Sequence, residues 1–337
     1  MSQVSESTLT RKDFISDQDV RWCPGCGDYA ILAQVQKVFP DLGIPKENFL
    51  IVSGIGCSSR FPYYMDTFGF HSIHGRATAL ATGAKMANPD LSVWVVTGDG
   101  DAMSIGGNHF IHILRRNLDI NILLFNNEVY GLTKGQYSPT SSQGHISKST
   151  PLGSVDYPFN PPQLALGAGG TFIARGIDRE LKHLNQLLKE AHNHSGTSFL
   201  EIYQNCWVYN DGAFANLTEK ELKMETQLIL EQGMPMIFGK DKDKGMRLVK
   251  GNLEVGMIGK DCKMEDILVH DEKNKIHGLM LSELTHKDGF PTPIGIIYRE
   301  EKPPYEELLL NQIQKAIQIQ GEGNLDSLFQ NGHTWKV

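Results

Sequence analysis

Two apolar runs, each ending in a doublet of turn-forming polar residues, constrain this chain more than anything else in it. Leu91-Ser92-Val93-Trp94-Val95-Val96-Thr97 leads into Gly98-Asp99-Gly100, and Ile120-Asn121-Ile122-Leu123-Leu124-Phe125 leads into Asn126-Asn127. Short runs rich in branched and aromatic residues, closed by Gly or Asn, read as buried strands. In a parallel sheet the carboxyl ends of neighbouring strands open on one crevice, so Asp99 and Asn127 are expected on the same side of a shared pocket.

The surrounding chain supports such a sheet. From about Trp22 to Cys206 helical and strand patterns alternate: helix over 29–39, strand 48–53, small-residue helix 76–87, helix 103–116, strand 171–176, helix 178–194 capped by Asp178, and strand 198–203. That alternation predicts an α/β fold, a parallel sheet with helices on both faces. Residues 132–162 lack periodicity and are rich in Ser, Gly, Thr and Pro, which predicts a long functional loop. After Asp211 the pattern changes. A capping-box spacing, Thr218 to Glu221, predicts a helix running to Gln232. A charged break at 239–244, strand-like runs at 267–269, 278–281 and 294–298, and a helix over 305–319 follow. The last has Leu308, Leu309, Ile313 and Ile317 on one face, a pattern expected to pack into core. The reading is an N-terminal arm (1–21), an α/β module (22–211) and a C-terminal α+β extension (212–337).

Composition sets limits on function. With 337 residues, 40% hydrophobic, 21% charged and a net charge of −7, the chain is a globular protein, and its acidic balance opposes nucleic acid as a partner. It has no apolar run of the ~20 residues a membrane span requires, and residues 1–19 carry no apolar core of a signal peptide, so a cytoplasmic location is expected.

Each doublet alone is ordinary turn chemistry, since Gly and Asn tolerate positive φ and Asp bonds its own backbone. Together at neighbouring strand ends they present hard oxygens. Asp99, the Asn127 side chain and the Val129 carbonyl suit Mg²⁺, leaving its other octahedral positions for diphosphate oxygens and water. The Gly100 and Asp101 amides, opening the next helix, suit phosphate.

Five segments occur in order: Cys23-Pro24-Gly25-Cys26-Gly27-Asp28, Gly54-Ile55-Gly56-Cys57-Ser58-Ser59-Arg60, His74-Gly75-Arg76-Ala77, Gly98-Asp99-Gly100-Asp101, and Asn126-Asn127-Glu128-Val129-Tyr130-Gly131-Leu132-Thr133. As a set, over roughly 22–211, they resemble the β subunits of 2-oxoacid:ferredoxin oxidoreductases. The resemblance implies a thiamine diphosphate enzyme that oxidatively decarboxylates a 2-oxoacid to its acyl-coenzyme A and passes electrons singly to ferredoxin. It implies a cofactor site of Gly56, Cys57, Ser58, His74, Gly98, Asp99, Gly100, Asp101, Asn127, Val129, Gly131, Leu132 and Thr133.

The cysteines alone leave a zinc site or buried thiols open, although zinc sites usually repeat the Cys-x-x-Cys pair and no second pair exists here. The resemblance assigns Cys23, Cys26, Cys57 and Cys206 to one 4Fe-4S cluster. Asn205 stands where the family has proline before the fourth ligand, and Cys262, outside the module, reads as a small buried apolar residue. Thiamine chemistry also needs a carboxylate on the pyrimidine ring, which in this superfamily comes from a second domain. No second module follows, so a partner α subunit, most of the coenzyme A site and an α2β2 assembly are implied.

For substrate, the resemblance places Arg60, where the family has a basic residue facing the substrate carboxylate, together with His74 and Leu132 at the reacting end. Residues 61–71 and 132–140 most resemble the 2-oxoglutarate-specific members, and His71, His74 and Lys134 are cations available to a distal carboxylate. Pyruvate or another 2-oxoacid is the nearer alternative; a non-redox thiamine decarboxylase or synthase, and a non-enzymatic zinc or electron-transfer subunit, are more distant ones.

Overall fold

The computed structural model describes residues 9–285, 287–333 and 335. Residues 1–8 of the expected arm, and 286, 334, 336 and 337 of the extension, lie outside the described residues. The strands are β1 (Phe49–Ser53), β2 (Phe68–His71), β3 (Ser92–Gly98), β4 (Ile120–Asn126), β5 (Phe172–Ile177), β6 (Ser198–Tyr203), β7 (Gln227–Leu230), β8 (Ile237–Phe238), β9 (Lys244–Val249), β10 (Asn252–Met257) and β11 (Thr292–Arg299). Eight form one sheet in the order β2-β1-β3-β4-β6-β5-β11-β7, and β10-β9-β8 form a small antiparallel sheet. In the large sheet only the β11–β5 pair is antiparallel. The sequence-expected α/β class holds.

Helices are α1 (Asp28–Val38), α2 (Ala77–Ala87), α3 (Asp99–Met103), α4 (Gly107–Arg116), α5 (Pro161–Gly167), α6 (Leu181–Asn193), α7 (Ala215–Thr218), α8 (Lys223–Thr226), α9 (Lys275–Ser282), α10 (Tyr305–Gln320) and α11 (Leu325–Phe329). They cover both faces. Alternate strand residues Trp94, Val96, Leu123 and Phe125 pack with α1 and α6, whereas Val93, Val95, Ile120, Ile122 and Leu124 pack with α2, α4, α5 and α9. Burial on two faces is why β1 and β4 read as nearly continuous apolar runs. Strands β3 and β4 pair in parallel with Gly98 opposite Phe125, which sets the two doublets side by side.

Several local expectations are corrected. The helix expected over 103–116 is broken: α3 stops at Met103, Ser104 has ψ −112°, and α4 restarts at Gly107. Helix α6 begins at Leu181, with no side-chain cap from Asp178, whose carboxylate instead accepts the Asn205 N–H at 2.9 Å. Residues 218–232 are not one helix: Thr218 ends α7, and the single turn α8 and strand β7 follow. The run 278–281 lies in α9, and 267–269 makes only isolated bridges; a short apolar run does not distinguish helix from strand. The apolar stripe of α10 is not core, since Leu308, Ile313 and Ile317 are exposed. Strands β7 and β11, from beyond residue 211, extend the main sheet. Among the described residues no helix is long and apolar enough to cross a membrane.

Candidate functional site

The carboxyl ends of β1, β3 and β4 open on a cavity of 420 Å³. Every residue expected at the cofactor site lines it: Gly56, Cys57, Ser58 and His74, the run Gly98 to Asp101, and Asn127, Val129, Gly131, Leu132 and Thr133. Asp99 is 2% exposed. Its Oδ2 accepts from Ser138 Oγ and Thr140 Oγ1, both at 2.5 Å. Burial pushes the Asp99 carboxyl up to about 6, against these two hydroxyls, which favour its charged form. Ser138 and Thr140 sit in the long loop and were not singled out from sequence; the loop's Ser/Thr richness was the only signal.

Asp101 lines the cavity, but its carboxylate is committed to the protein, accepting Gly75 N at 2.7 Å and Thr97 Oγ1 at 2.8 Å. It therefore fixes the turn that carries His74. Gly100 has to be glycine, because a Cβ there would meet the Tyr130 ring at 2.2 Å, and the Tyr130 hydroxyl donates to Gly100 O at 3.0 Å.

After β4 the chain turns sharply, with Glu128 at φ 55°, a conformation costing about 1 kcal/mol or more in a residue with a side chain. Two side chains hold it: Asn126 Oδ1 accepts Glu128 N at 3.3 Å and Asn127 Oδ1 accepts Val129 N at 3.2 Å. The Asn127 oxygen thus makes a turn contact and keeps a second lone pair, which is what the ligand expectation requires of it. Beneath lies a buried chain of contacts. Thr140 Oγ1 bonds Asn126 Oδ1 at 2.9 Å, Asn126 Nδ2 donates to Glu201 at 2.8 Å, and Arg175 Nε donates to Glu201 at 2.7 Å with both side chains fully buried. Arg175 reaches the extension through Thr285 Oγ1 at 2.8 Å. Nothing in the sequence marked Arg175 and Glu201, charged residues within strands.

A second cavity, of 210 Å³, adjoins the first and is lined by Cys23, Cys26, Cys57 and Cys206. Gly131, Leu132, Cys57 and Asn127 line both. A Cβ on Gly131 would sit 3.5 Å from Cys206 Sγ and 3.6 Å from Cys57 Sγ, so the glycine lies against both sulfurs. The thiols are held by backbone: Cys26 N donates to Cys23 O at 3.1 Å, Gly27 N to Asn205 O at 3.1 Å, and Trp22 Nε1 to Cys57 O at 2.7 Å. Burial pushes Cys57 up to about 12 and raises Cys26 and Cys206 as well, so burial favours the neutral thiols, and the positive charge of a bound metal would favour the thiolates. Among the described residues no three His, Cys, Asp or Glu side chains are placed to hold a single metal ion; the thiols surround a space instead. Asp28 is 1% exposed, and burial lifts its carboxyl to about 7 against a side-chain hydrogen bond with Cys26, which favours the charged form. Asn205 has a reason to replace proline: its N–H is the donor to Asp178, and proline has none. Cys262 is buried.

Arg60 lines the thiol cavity rather than the larger one, and its Nη1 donates to Arg21 O at 3.1 Å. Lys134 also lines the thiol cavity, whereas His71 bonds Ser59 O at 2.9 Å. Only Leu132 and His74, of the three residues expected at the reacting end, line the larger cavity.

Residues 54–202 match a family model described as the thiamine pyrophosphate enzyme C-terminal TPP-binding domain. The chain is 48% identical over 330 residues, 97% of its length and 88% of the relative's, to the 2-oxoglutarate oxidoreductase subunit KorB of Mycobacterium tuberculosis. It is 49% identical, over 56% of its length and 60% of the relative's, to a 2-oxoacid:ferredoxin oxidoreductase β subunit of Aeropyrum pernix. Its structure superposes on a 2-oxoglutarate:ferredoxin oxidoreductase chain of Magnetococcus marinus, solved with 2-oxoglutarate, coenzyme A and succinyl-CoA, with a TM-score of 0.76, 30% identity and 98% coverage of both chains.

Proposed function

The chain belongs to the β-subunit family of the 2-oxoacid:ferredoxin oxidoreductases, most like its 2-oxoglutarate members, and from that premise we propose that it carries thiamine diphosphate with Mg²⁺ and one 4Fe-4S cluster in adjoining cavities for the coenzyme A-dependent oxidative decarboxylation of 2-oxoglutarate. The observation that carries the reading is adjacency: the Asp99–Asn127 pair and the four-cysteine space share Cys57, Asn127, Gly131 and Leu132 as walls. When bound, the thiamine supplies the nucleophile and electron sink that 2-oxoacid decarboxylation needs, and the cluster a one-electron path.

The chain's own residues do the rest. Asp99 and Asn127, with the Val129 carbonyl, offer hard oxygens to Mg²⁺, and Ser138 and Thr140 aim the Asp99 carboxylate. Cys23, Cys26, Cys57 and Cys206 ligate the cluster; four thiols around a 210 Å³ cavity fit a polynuclear centre better than one ion. We assign Arg60 and Lys134, on the wall that Leu132 shares between the cavities, to the substrate carboxylates, and His74 to a hydrogen bond on the cofactor side.

Residues 22–211 hold all of these groups, which supports treating them as the cofactor-binding unit with 212–337 as its buttress. Exposed Ile105 on the cavity wall, with exposed Phe68 and Phe70 on edge strand β2 and Ile73 just beyond it, supports burial by an α subunit that adds the pyrimidine-side carboxylate, with α2β2 as the assembly and ferredoxin as the electron acceptor. Thiolate ligation favours the reducing cytoplasm. The test is coenzyme A-dependent viologen reduction by the anoxically co-purified α and β chains. Preference for 2-oxoglutarate over pyruvate is expected; preference for pyruvate overturns the substrate, and activity with neither overturns the reaction.

A further inference from the structure

Resting on that reading, we infer that Gln204 is a positioning residue that couples the two cofactor sites, setting the Asn127 amide for Mg²⁺ with one end of its carboxamide and hydrogen-bonding a cluster sulfur with the other. Gln204 is 1% exposed and continues β6, its N–H donating to Asn126 O at 2.9 Å. Its Oε1 accepts Asn127 Nδ2 at 2.8 Å. Its Nε2 donates to Asn205 O at 2.5 Å and to Cys26 Sγ at 3.4 Å. The orientation is determined by these partners, because the reverse would set Oε1 against the Asn205 carbonyl.

Two consequences follow from chemistry. With Asn127 Nδ2 committed to Gln204 and one lone pair of Oδ1 to the Val129 N–H, the second lone pair of that oxygen is the end left to face a cation; without Gln204 only the 3.2 Å contact with Val129 holds the amide in that orientation. Partners that orient a ligand in this way are worth about 10–100-fold in metal affinity. At the other end, an N–H donated to a ligating sulfur stabilises the reduced, more electron-rich cluster, and so raises its potential. The carboxamide is planar, so its acceptor on Asn127 and its N–H on Cys26 are fixed relative to one another.

Gln204→Met, which keeps the volume but neither polar end, and Gln204→Glu, whose carboxyl, buried against the Asn205 carbonyl, holds a proton that it donates to Asn205 O, so that it keeps an acceptor for Asn127 but has no N–H for Cys26, separate the two roles. Both are compared with wild type in the anoxic αβ complex by titrating Mg²⁺-thiamine diphosphate into cofactor-depleted protein and by an electron-paramagnetic-resonance redox titration of the cluster. Gln204→Met is expected to bind the cofactor about 10–100-fold more weakly and to reduce its cluster with about a tenfold lower equilibrium constant, equivalent to about 59 mV downward for one electron. Gln204→Glu is expected to bind the cofactor as wild type does while its cluster potential stays low. Unchanged affinity and potential in Gln204→Met overturn the inference, as does a Gln204→Glu protein that loses both in the same proportion as Gln204→Met, which general loosening produces. A wild-type complex with no cluster signal or no cofactor binding overturns instead the functional reading beneath it.

Discussion

The parallel strands carry a polar web at each end, built from the same residue types. At the amino end Asn117, in a left-handed conformation at φ 58°, accepts from Thr171 Oγ1 at 2.6 Å and Thr197 N at 3.1 Å and donates to Lys302 O at 3.3 Å, while His194 Nε2 bonds Thr171 Oγ1 at 2.8 Å. This web closes on itself and encloses none of the larger cavities. At the carboxyl end Asp99, Asn126, Asn127, Ser138 and Thr140 are also interlinked, but Asp99 and Asn127 border open space. On the proposed reading, the one network serves stability and the other preorganisation; what separates them is that only the second borders a cavity.

Substitutions at the two ends are expected to separate these effects. Asp99→Ala should weaken Mg²⁺-thiamine diphosphate binding by at least about 100-fold, the upper range for a metal-site residue, while leaving the melting temperature of the apo complex within a few degrees; calorimetric titration and melting check both halves. Asn117→Ala should do the reverse. Losing several buried hydrogen bonds together with a residue suited to positive φ is expected to cost about 2 kcal/mol, read by denaturant unfolding, with cofactor affinity unchanged. Ser138→Ala removes one of the two hydroxyls on Asp99 and should lower cofactor affinity about tenfold, the smaller end of the range for groups that orient a ligand. A further effect concerns acid. Burial depresses His194 to about 4, below its ordinary value of about 6.5. The folded state therefore binds fewer protons than the unfolded chain between these values, and the stability present above about pH 6.5 falls as the pH drops toward 4. His194→Gln should flatten that slope in unfolding measured against pH without moving cofactor affinity.

The two webs also differ in how legible they were. Asp99 and Asn127 announce themselves because strand periodicity predicts two neighbouring ends, and the pairing of Gly98 with Phe125 delivers that. The four cysteines likewise line one cavity. Their supporting residues did not stand out, since Ser138 and Thr140 reach Asp99 across 39 and 41 positions, and Gln204 reaches Cys26 across 178. No local pattern encodes such contacts. Arg175 and Glu201 interrupt strands that were legible only by their apolar neighbours. Beyond residue 211 short apolar runs misled, because 278–281 packs as a turn of helix and β7 follows a single-turn helix; there the deciding contacts are with the main sheet, not with sequence neighbours.

The central claim is that this chain holds two different cofactors side by side, and metal and cofactor content of the anoxically isolated complex tests it most directly. About four iron, four acid-labile sulfide and one thiamine diphosphate per copy of the chain are expected, as one four-thiolate cubane requires, with iron and sulfide lost and thiamine diphosphate retained in Cys206→Ser. One zinc per chain without sulfide, or thiamine diphosphate bound by a complex lacking iron that is nevertheless fully active, would contradict the account.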